Sequence, residues 1–302
     1  MKAIDLFAGA GGFSTGAAMA GVSVIWAANH WPAAVQVHAN NHPNTLHVCQ
    51  DLQQADWTQV PAHDLLMASP ACQGHSRARG KEKAHHDAQR STAWAVVDAL
   101  ECHRPRLGVV ENVEDFAKWV LFPAWCAAIT ALGYAVSPHL IDSADHGVPQ
   151  HRVRLYIVLT RSKNPLELTL PRRPHAAASS VIDFGAGKWS LLANRVQKTR
   201  ARACNGRARH GDRFVMPYYG KGSGLTGRSL ERPIGTITTK ARWGVVDGDR
   251  MRMVTVDENR AFMGFPVGYK LPPRVHDANT MLGNAVVPVV ACDVINALRA
   301  AA

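Results

Sequence analysis

The stretch Ala3-Ile4-Asp5-Leu6-Phe7-Ala8-Gly9-Ala10-Gly11-Gly12 decides the architecture. An apolar run broken once by Asp5 reads as a buried strand, and the glycines after it read as a tight turn. Phe13 to Ala20 then suits a small-residue helix, and Val22 to Trp26 a second strand. This is a βαβ opening whose glycines let a ligand approach the backbone beside a helix N-terminus. Ser14 stands where a G-x-G-x-x-G motif needs its last glycine, which weakens a dinucleotide reading. The expected class is α/β, with a doubly wound, mostly parallel sheet.

Working outward, the second strand ends at Ala28-Asn29-His30-Trp31, and a short strand over residues 47–50 is closed by Asp51. In such folds a polar residue at the first place faces a ribose, and an aromatic ring beside it covers a base. Asp51 is placed to accept from a base amino group. Together these positions outline an adenosine pocket, although each alone is ordinary loop chemistry.

The segment Asp64-Leu65-Leu66-Met67-Ala68-Ser69-Pro70-Ala71-Cys72-Gln73-Gly74-His75-Ser76 carries the reactive candidate. Four apolar residues form a strand that Ser-Pro ends, because proline lacks an N–H and restricts its predecessor. Cys72 therefore falls at the carboxyl edge of the sheet, where open α/β sheets bind ligands. The basic run Arg77-Ala78-Arg79-Gly80-Lys81 follows, and nearby positive charge favours the nucleophilic thiolate. A lone cysteine is more often buried and inert, so the rest of the chain has to decide. Ser91 to Cys102 reads as a helix, and Arg106 to Val110 as a strand that brings Glu111-Asn112-Val113 to the same edge. A carboxylate desolvated there is suited to hold a proton near neutral pH. Phe122 to Leu132 reads as a helix and Tyr134 to Ile141 as a strand. In the segment from Gly147 to Val158, Arg152 and Arg154 alternate and are expected on one strand face.

Charge is unevenly spread over the 302 residues. The net charge is +11, yet Arg161 to Arg242 holds 17 Lys/Arg against 4 Asp/Glu, and the remainder is slightly acidic. A near-neutral body with a basic insert points to a polyanion, and nucleic acid is favoured over a membrane surface because the insert lacks a long amphipathic face. Six scattered cysteines without a C-x-x-C pair argue against zinc and suit a reducing cytoplasm. His85-His86 reads as solvated loop, so no metal is expected. The start Met1-Lys2 runs directly into the first strand, so no signal peptide is expected, and no stretch is read as a membrane span.

The ordered set Phe7-Ala8-Gly9-Ala10-Gly11-Gly12, Pro70-Ala71-Cys72-Gln73, Glu111-Asn112-Val113, Gln150-His151-Arg152-Val153-Arg154, Arg232-Pro233-Ile234-Gly235-Thr236-Ile237-Thr238 and Gly283-Asn284-Ala285-Val286-Val287-Pro288 resembles the DNA cytosine-5 methyltransferase family. The motifs span Ile4 to Val290 in the family's order. The resemblance implies a Rossmann-like methyltransferase fold using S-adenosyl-L-methionine. It divides the chain into a catalytic domain over 1–164, a target-recognition domain over 165–248 and a return to the catalytic domain over 249–302. Cys72 becomes the nucleophile that adds to C6 of a flipped-out cytosine, Glu111 the group at N3, and Arg154 the contact to O2, with Arg152 as the weaker candidate. Cofactor contacts fall on Phe7, Ala8, Gly9, Gly11 and Gly12, on His30, Trp31, Asp51 and Leu52, and on Pro70, Asn284 and Ala285. DNA contacts fall on Gln73, Ser76, Arg77 and Arg79 and on Arg200, Arg202, Lys221 and Thr238. Phosphate contacts are also expected from Arg195, Lys198, Arg207 and Arg209, with a solvated role for them equally open. The 218–224 stretch, Tyr218-Tyr219-Gly220-Lys221-Gly222-Ser223-Gly224, is expected as a loop, and Thr255-Val256-Asp257-Glu258 as a helix start.

Two positions depart from the pattern. Ala71 stands where the family has proline before its cysteine, and His30 where it has a ribose-binding carboxylate. The expected partner is double-stranded DNA, with a cognate restriction endonuclease left open, no membrane, and a cytoplasmic monomer. An RNA cytosine-5 methyltransferase of the same fold is the alternative enzyme, disfavoured because its Cys-Phe-Thr motif is absent. A catalytically inactive DNA-binding relative is the other alternative, disfavoured by Cys72 and Glu111.

Overall fold

The computed structural model describes residues 1–71, 91–162, 164–218 and 224–301, in two compact units. The first unit is Met1–Asp142, Val153–Pro171 and Ala285–Ala302, and the second is Ser143–Arg152 and Arg172–Asn284. Residues 249–284 thus pack with the second unit.

The first unit is built from β1 (Lys2–Leu6), α1 (Gly12–Met19), β2 (Ser23–Asn29), α2 (Pro32–Asn41), β3 (Leu46–Cys49), β4 (Leu65–Ala68), α3 (Trp94–His103), β5 (Leu107–Asn112), α4 (Phe122–Ala131), β6 (Ala135–Asp142) and β7 (Val153–Thr160). Among the described residues these strands make a seven-stranded sheet in the order β3-β2-β1-β4-β5-β7-β6. The first five run parallel, and β7 runs antiparallel to β5 and β6. Every residue of β4 and β5 is buried, as central parallel strands covered on both faces require. The strand order reverses between β1 and β4, and that switch point opens a crevice at their carboxyl ends. This is the α/β class read from the glycine turn.

One core cluster joins Ile4, Leu6, Leu66 and Val110 of the strands to Val96 and Leu100 of α3 and to Trp125 and Ile129 of α4. Elsewhere in this unit α1 meets the last helix, α8 (Pro288–Ala301), at very short range. A Cβ on Gly12 would lie 2.1 Å from the Val286 carbonyl oxygen, and one on Gly16 would lie 2.5 Å from the Ala291 Cβ. Only glycine at both places lets the helix seat.

The second unit carries β8 (Ser190–Leu191), α5 (Gln197–His210), β9 (Arg213–Pro217), β10 (Trp243–Asp247), β11 (Arg250–Met253), α6 (Val256–Phe262) and α7 (Val275–Asn284). Its strands pair antiparallel in the order β8-β11-β10-β9. The expected capping box is present, with the Glu258 N–H donating to Thr255 and the Thr255 N–H to Glu258. Glu258 also grips Arg252, at 2.6 and 2.7 Å, in a buried fork, and Arg252 donates onward to the Asp183 carbonyl. The run Val275–Ala301 does meet the length and composition of a membrane span, against the sequence reading. Its apolar window is 67% buried within the protein and the chain breaks at residues 285–287, which marks core helices.

Gly16→Ala tests the α1–α8 contact. Overpacking of this kind costs about 1–3 kcal/mol, and a fall in melting temperature of roughly 3–10 °C is expected by calorimetry. An unchanged melting temperature would show that the two helices do not meet this closely.

Candidate active site

The turn after β1 is held by backbone. The Ala8 N–H donates to Ala28 at 3.0 Å, and the Gly11 N–H to Ala8 at 2.8 Å. Phe7, Gly9 and Gly11 have φ of 60°, 53° and 82°. For Phe7 that left-handed conformation is uncommon in a residue with a side chain, and such backbone concentrates at functional sites. Its carbonyl accepts the Ser69 hydroxyl at 3.2 Å, which ties the turn to the end of β4. Asp5 receives the Ser14 N–H at 3.1 Å and hydroxyl at 2.7 Å, so the first turn of α1 is anchored to β1. Among the described residues a Cβ on Gly9 would meet only the Phe7 carbonyl, 3.7 Å away, which leaves space in front of the turn.

The neighbouring strand ends complete the crevice edge. Asn29 Oδ1 accepts the Trp31 N–H at 2.9 Å, which turns the chain into α2 with Pro32 as its first residue. His30 is exposed and Trp31 half-buried. Asp51 is exposed and caps the 3₁₀ turn after β3 through the Gln53 N–H, while Leu52 is buried beneath. The parallel strand ends thus gather Phe7, Ala8, Gly9, Gly11, Gly12, His30, Trp31, Asp51, Leu52 and Pro70 on one edge of the sheet. Ala285 opens the return to the first unit, next to the Val286 carbonyl that abuts Gly12, whereas Asn284 closes α7 in the second unit.

Glu111, only 6% exposed, ends β5 with Arg154 Nε 3.3 Å from its carboxylate. The guanidinium supplies the opposite charge that a buried carboxylate requires. Asn112 Nδ2 donates to the Pro70 carbonyl at 3.1 Å, and the Ala71 N–H donates to the Thr92 hydroxyl at 3.3 Å. The two residues before position 72 are therefore pinned beside Glu111. Cys72, Gln73, Ser76, Arg77, Arg79 and the basic run to Lys83, along with Lys221, lie outside the described residues. Asn112 belongs to the Glu111-Asn112-Val113 motif but has no role of its own in the sequence reading, and Thr92 stands in no motif.

Arg152 does not share a strand face with Arg154, because β7 begins at Val153. Its side chain is 2% exposed and donates to the Ile237 carbonyl at 3.0 Å and the Gly283 carbonyl at 2.9 Å. Gln150 acts alongside it, accepting the Ile237 N–H and donating to the Phe262 carbonyl. Both residues tie the second unit together. Thr238 donates to the Lys240 carbonyl at 3.0 Å.

On α5 the cations divide by face. Arg202 turns inward to the Pro217 carbonyl and stands 5.4 Å from the Tyr218 ring. Arg207 reaches the Gly248 carbonyl, Asp249 at 2.9 Å and Asp212 at 3.3 Å. Lys198, Arg200 and Arg209 stay exposed. A 3.6-residue period places Thr199, Ala203 and Gly206 toward the core and sends these three outward.

Comparison with known proteins gives a consistent result. The family model described as C-5 cytosine-specific DNA methylase matches residues 1–300. The Type II methyltransferase M.NlaX of Neisseria lactamica is 28% identical, covering 96% of this chain and 93% of that protein. M.HindV of Haemophilus influenzae is 26% identical, covering 95% and 92%. A DNA modification methyltransferase encoded within an E. coli prophage shares the fold with a TM-score of 0.74 at 17% identity, over 99% of both chains. Spodoptera frugiperda DNMT2 does so with a TM-score of 0.70 at 17% identity, also over 99% of both.

The Glu111–Arg154 pair is testable by a double-mutant cycle in urea. Arg154→Gln strands a buried carboxylate and is expected to cost roughly 3 kcal/mol. Adding Glu111→Gln should recover part of that loss, whereas simple additivity of the two changes would show that the pair is not coupled.

Proposed function

The chain belongs to the C-5 cytosine-specific DNA methylases and is a DNA methyltransferase, and we propose that it methylates C5 of a flipped-out cytosine in duplex DNA through a covalent adduct on Cys72. The observation that carries this reading is the strand-end arrangement of Glu111, paired with Arg154, beside the Asn112 amide that holds Pro70 two residues before Cys72.

Cytosine C5 is too weak a nucleophile to take a methyl group unaided. The Cys72 thiolate adds its electron pair to C6, and Glu111 holds a proton at N3 so that the ring accepts the displaced electrons. C5 of the resulting enamine would take the methyl group of a bound S-adenosyl-L-methionine, the S–CH3 electron pair returning to sulfur as S-adenosylhomocysteine leaves. Water then takes the C5 proton, the C5–H electron pair restores the C5=C6 double bond, and the S–C6 pair leaves with the Cys72 thiolate. Arg154 keeps Glu111 oriented and faces the ring's O2. The target base is flipped out because these groups cannot reach it inside a duplex.

S-adenosyl-L-methionine, when bound, supplies the electrophilic methyl group on its sulfonium. The crevice edge fits it. Open space in front of Gly9 suits the amino-acid portion at the start of α1, Trp31 suits the adenine face, and the exposed Asp51 suits an amino donor. Asn29 spends one acceptor position on Trp31, so it only partly replaces the carboxylate that His30 displaces. DNA recognition is assigned to residues 165–248, whose outward cations Lys198, Arg200 and Arg209 meet phosphates. A cognate endonuclease, a monomeric state and a cytoplasmic location complete the proposal.

A duplex carrying 5-fluorocytosine at the target should trap a denaturation-resistant adduct with the wild type and none with Cys72→Ala, which keeps DNA binding. Methylation by Cys72→Ala at the wild-type rate would overturn the mechanism.

The phosphate assignment has its own test in salt titrations of DNA affinity. Replacing Arg200 and Arg209 with Gln should make the salt slope shallower by about 0.9 per contact, equally for all sequences. Replacing Arg202 or Arg207 should act through melting temperature instead. A change in methylated sequence with an unchanged slope would mean that Arg200 and Arg209 read bases.

A further inference from the structure

Beneath the turn after β1 lies a cluster that the proposed mechanism does not use. Asp5 is buried on β1 and His38 is buried on α2, while His42 and His47 are half-buried at the end of α2 and on β3. Their hydrogen bonds form a chain. Asp5 Oδ2 takes both the N–H and the hydroxyl of Ser14. Having given its one hydrogen to Asp5, the Ser14 oxygen must accept from His38 Nε2, 2.9 Å away. His38 Nδ1 lies 2.8 Å from His47 Nε2. In parallel, Thr15 gives its hydroxyl to the Gly11 carbonyl at 2.7 Å, so it must accept from His42 Nε2 at 3.2 Å. The ring of His38 is 4.6 Å from that of His42 and 4.9 Å from that of His47. His38 and His47 also line a shallow cleft with Ala8 and Gly9.

We propose that Asp5, Ser14, His38 and His47, with His42 on Thr15, position the cofactor turn and make cofactor binding acid-sensitive. The inference rests on the reading of this edge as the S-adenosyl-L-methionine site. His38 Nδ1 and His47 Nε2 face each other at 2.8 Å and share one proton between them, and the ring centroids of His42 and His47 lie 4.6 and 4.9 Å from that of His38, so added protons set like charges side by side beneath the turn. Among the described residues Asp5 is the carboxylate that faces the cluster, 3.9 Å from His38 Nε2. His30 stands exposed on the same edge, outside the chain of bonds.

The electrostatics agree with the geometry. Burial first, then His38 and His47, push His42 down from 6.5 to about 4. Burial and then His38 lower His47 as well. In the assembled turn these rings resist protonation, whereas in a loosened turn they take protons near their ordinary value. Between pH 6.5 and about 4 the loosened form therefore binds more protons, and acid favours it. The sign is fixed: affinity for the cofactor is full above pH 6.5 and falls below it.

The test is calorimetric titration of the full chain with S-adenosylhomocysteine at pH 7.5 and 5.5. Wild-type affinity should fall by at least about twofold and at most about tenfold, the limit set one unit below the ordinary value of a single suppressed imidazole by a turn that loosens fully when the cofactor leaves. His42→Gln and His47→Gln keep an amide donor but cannot titrate, so each should bind at pH 7.5 and lose less on acidification. In assays the Michaelis constant for S-adenosyl-L-methionine should rise in acid while turnover at saturation holds. Wild-type affinity equal at both pH values, or an undiminished acid loss in both variants, would overturn the inference. Absence of binding at both pH values would remove the cofactor reading and the inference with it.

Discussion

Two absent side chains govern how the large unit closes. Gly12 and Gly16 let α1 approach the segment from Val286 to Cys292 more closely than any Cβ allows. The same helix begins at the glycine turn, so the seating of α1 against α8 also fixes the floor of the crevice at the strand ends. Had either position carried a methyl group, α1 would have to tilt, and the turn, with Phe7 in its left-handed conformation, would move with it. Packing and site geometry are therefore one constraint in this unit.

Polar ties then set which side chains remain available for chemistry. Arg152 and Gln150 look as accessible in the sequence as Arg154 does, yet they are buried in ties to Ile237, Gly283 and Phe262. Arg154 is left with Glu111. On α5 the same sorting turns Arg202 inward, commits Arg207 to a half-exposed pairing with Asp249, and leaves Lys198, Arg200 and Arg209 in water. The charge surplus of the basic insert therefore overstates what its surface can offer to a polyanion.

Much of this was legible in the residues and some was not. The strands ending at Leu6, Ala68 and Asn112 follow from buried apolar runs stopped by glycine, Ser-Pro and a polar pair, and the Thr255 cap from its spacing to Glu258. Helix α2 escapes such reading because Val35-Gln36-Val37-His38-Ala39-Asn40-Asn41 has little apolar periodicity, and tertiary contacts decide it. The reversed direction of β7 has no local signature, since pairing direction is set by the connections rather than by side chains. The expected face shared by Arg152 and Arg154 fails because alternation applies only inside a strand, and the strand starts between them. The Asn112–Pro70 bond links positions 42 apart, and no spacing rule reaches that far.

The buried fork between Arg252 and Glu258 has a consequence for how this chain can diverge. Loss of either partner alone leaves a charge stranded in the interior, and loss of both also removes the Thr255 capping box and the donor to the Asp183 carbonyl. Substitution must therefore pass through a strongly disfavoured single-mutant intermediate, so the two positions are inherited as one character. Across descendants of this sequence they should be kept together or lost together, and the Asp183 carbonyl that shares the fork would have to find a new donor in every lineage that abandons it.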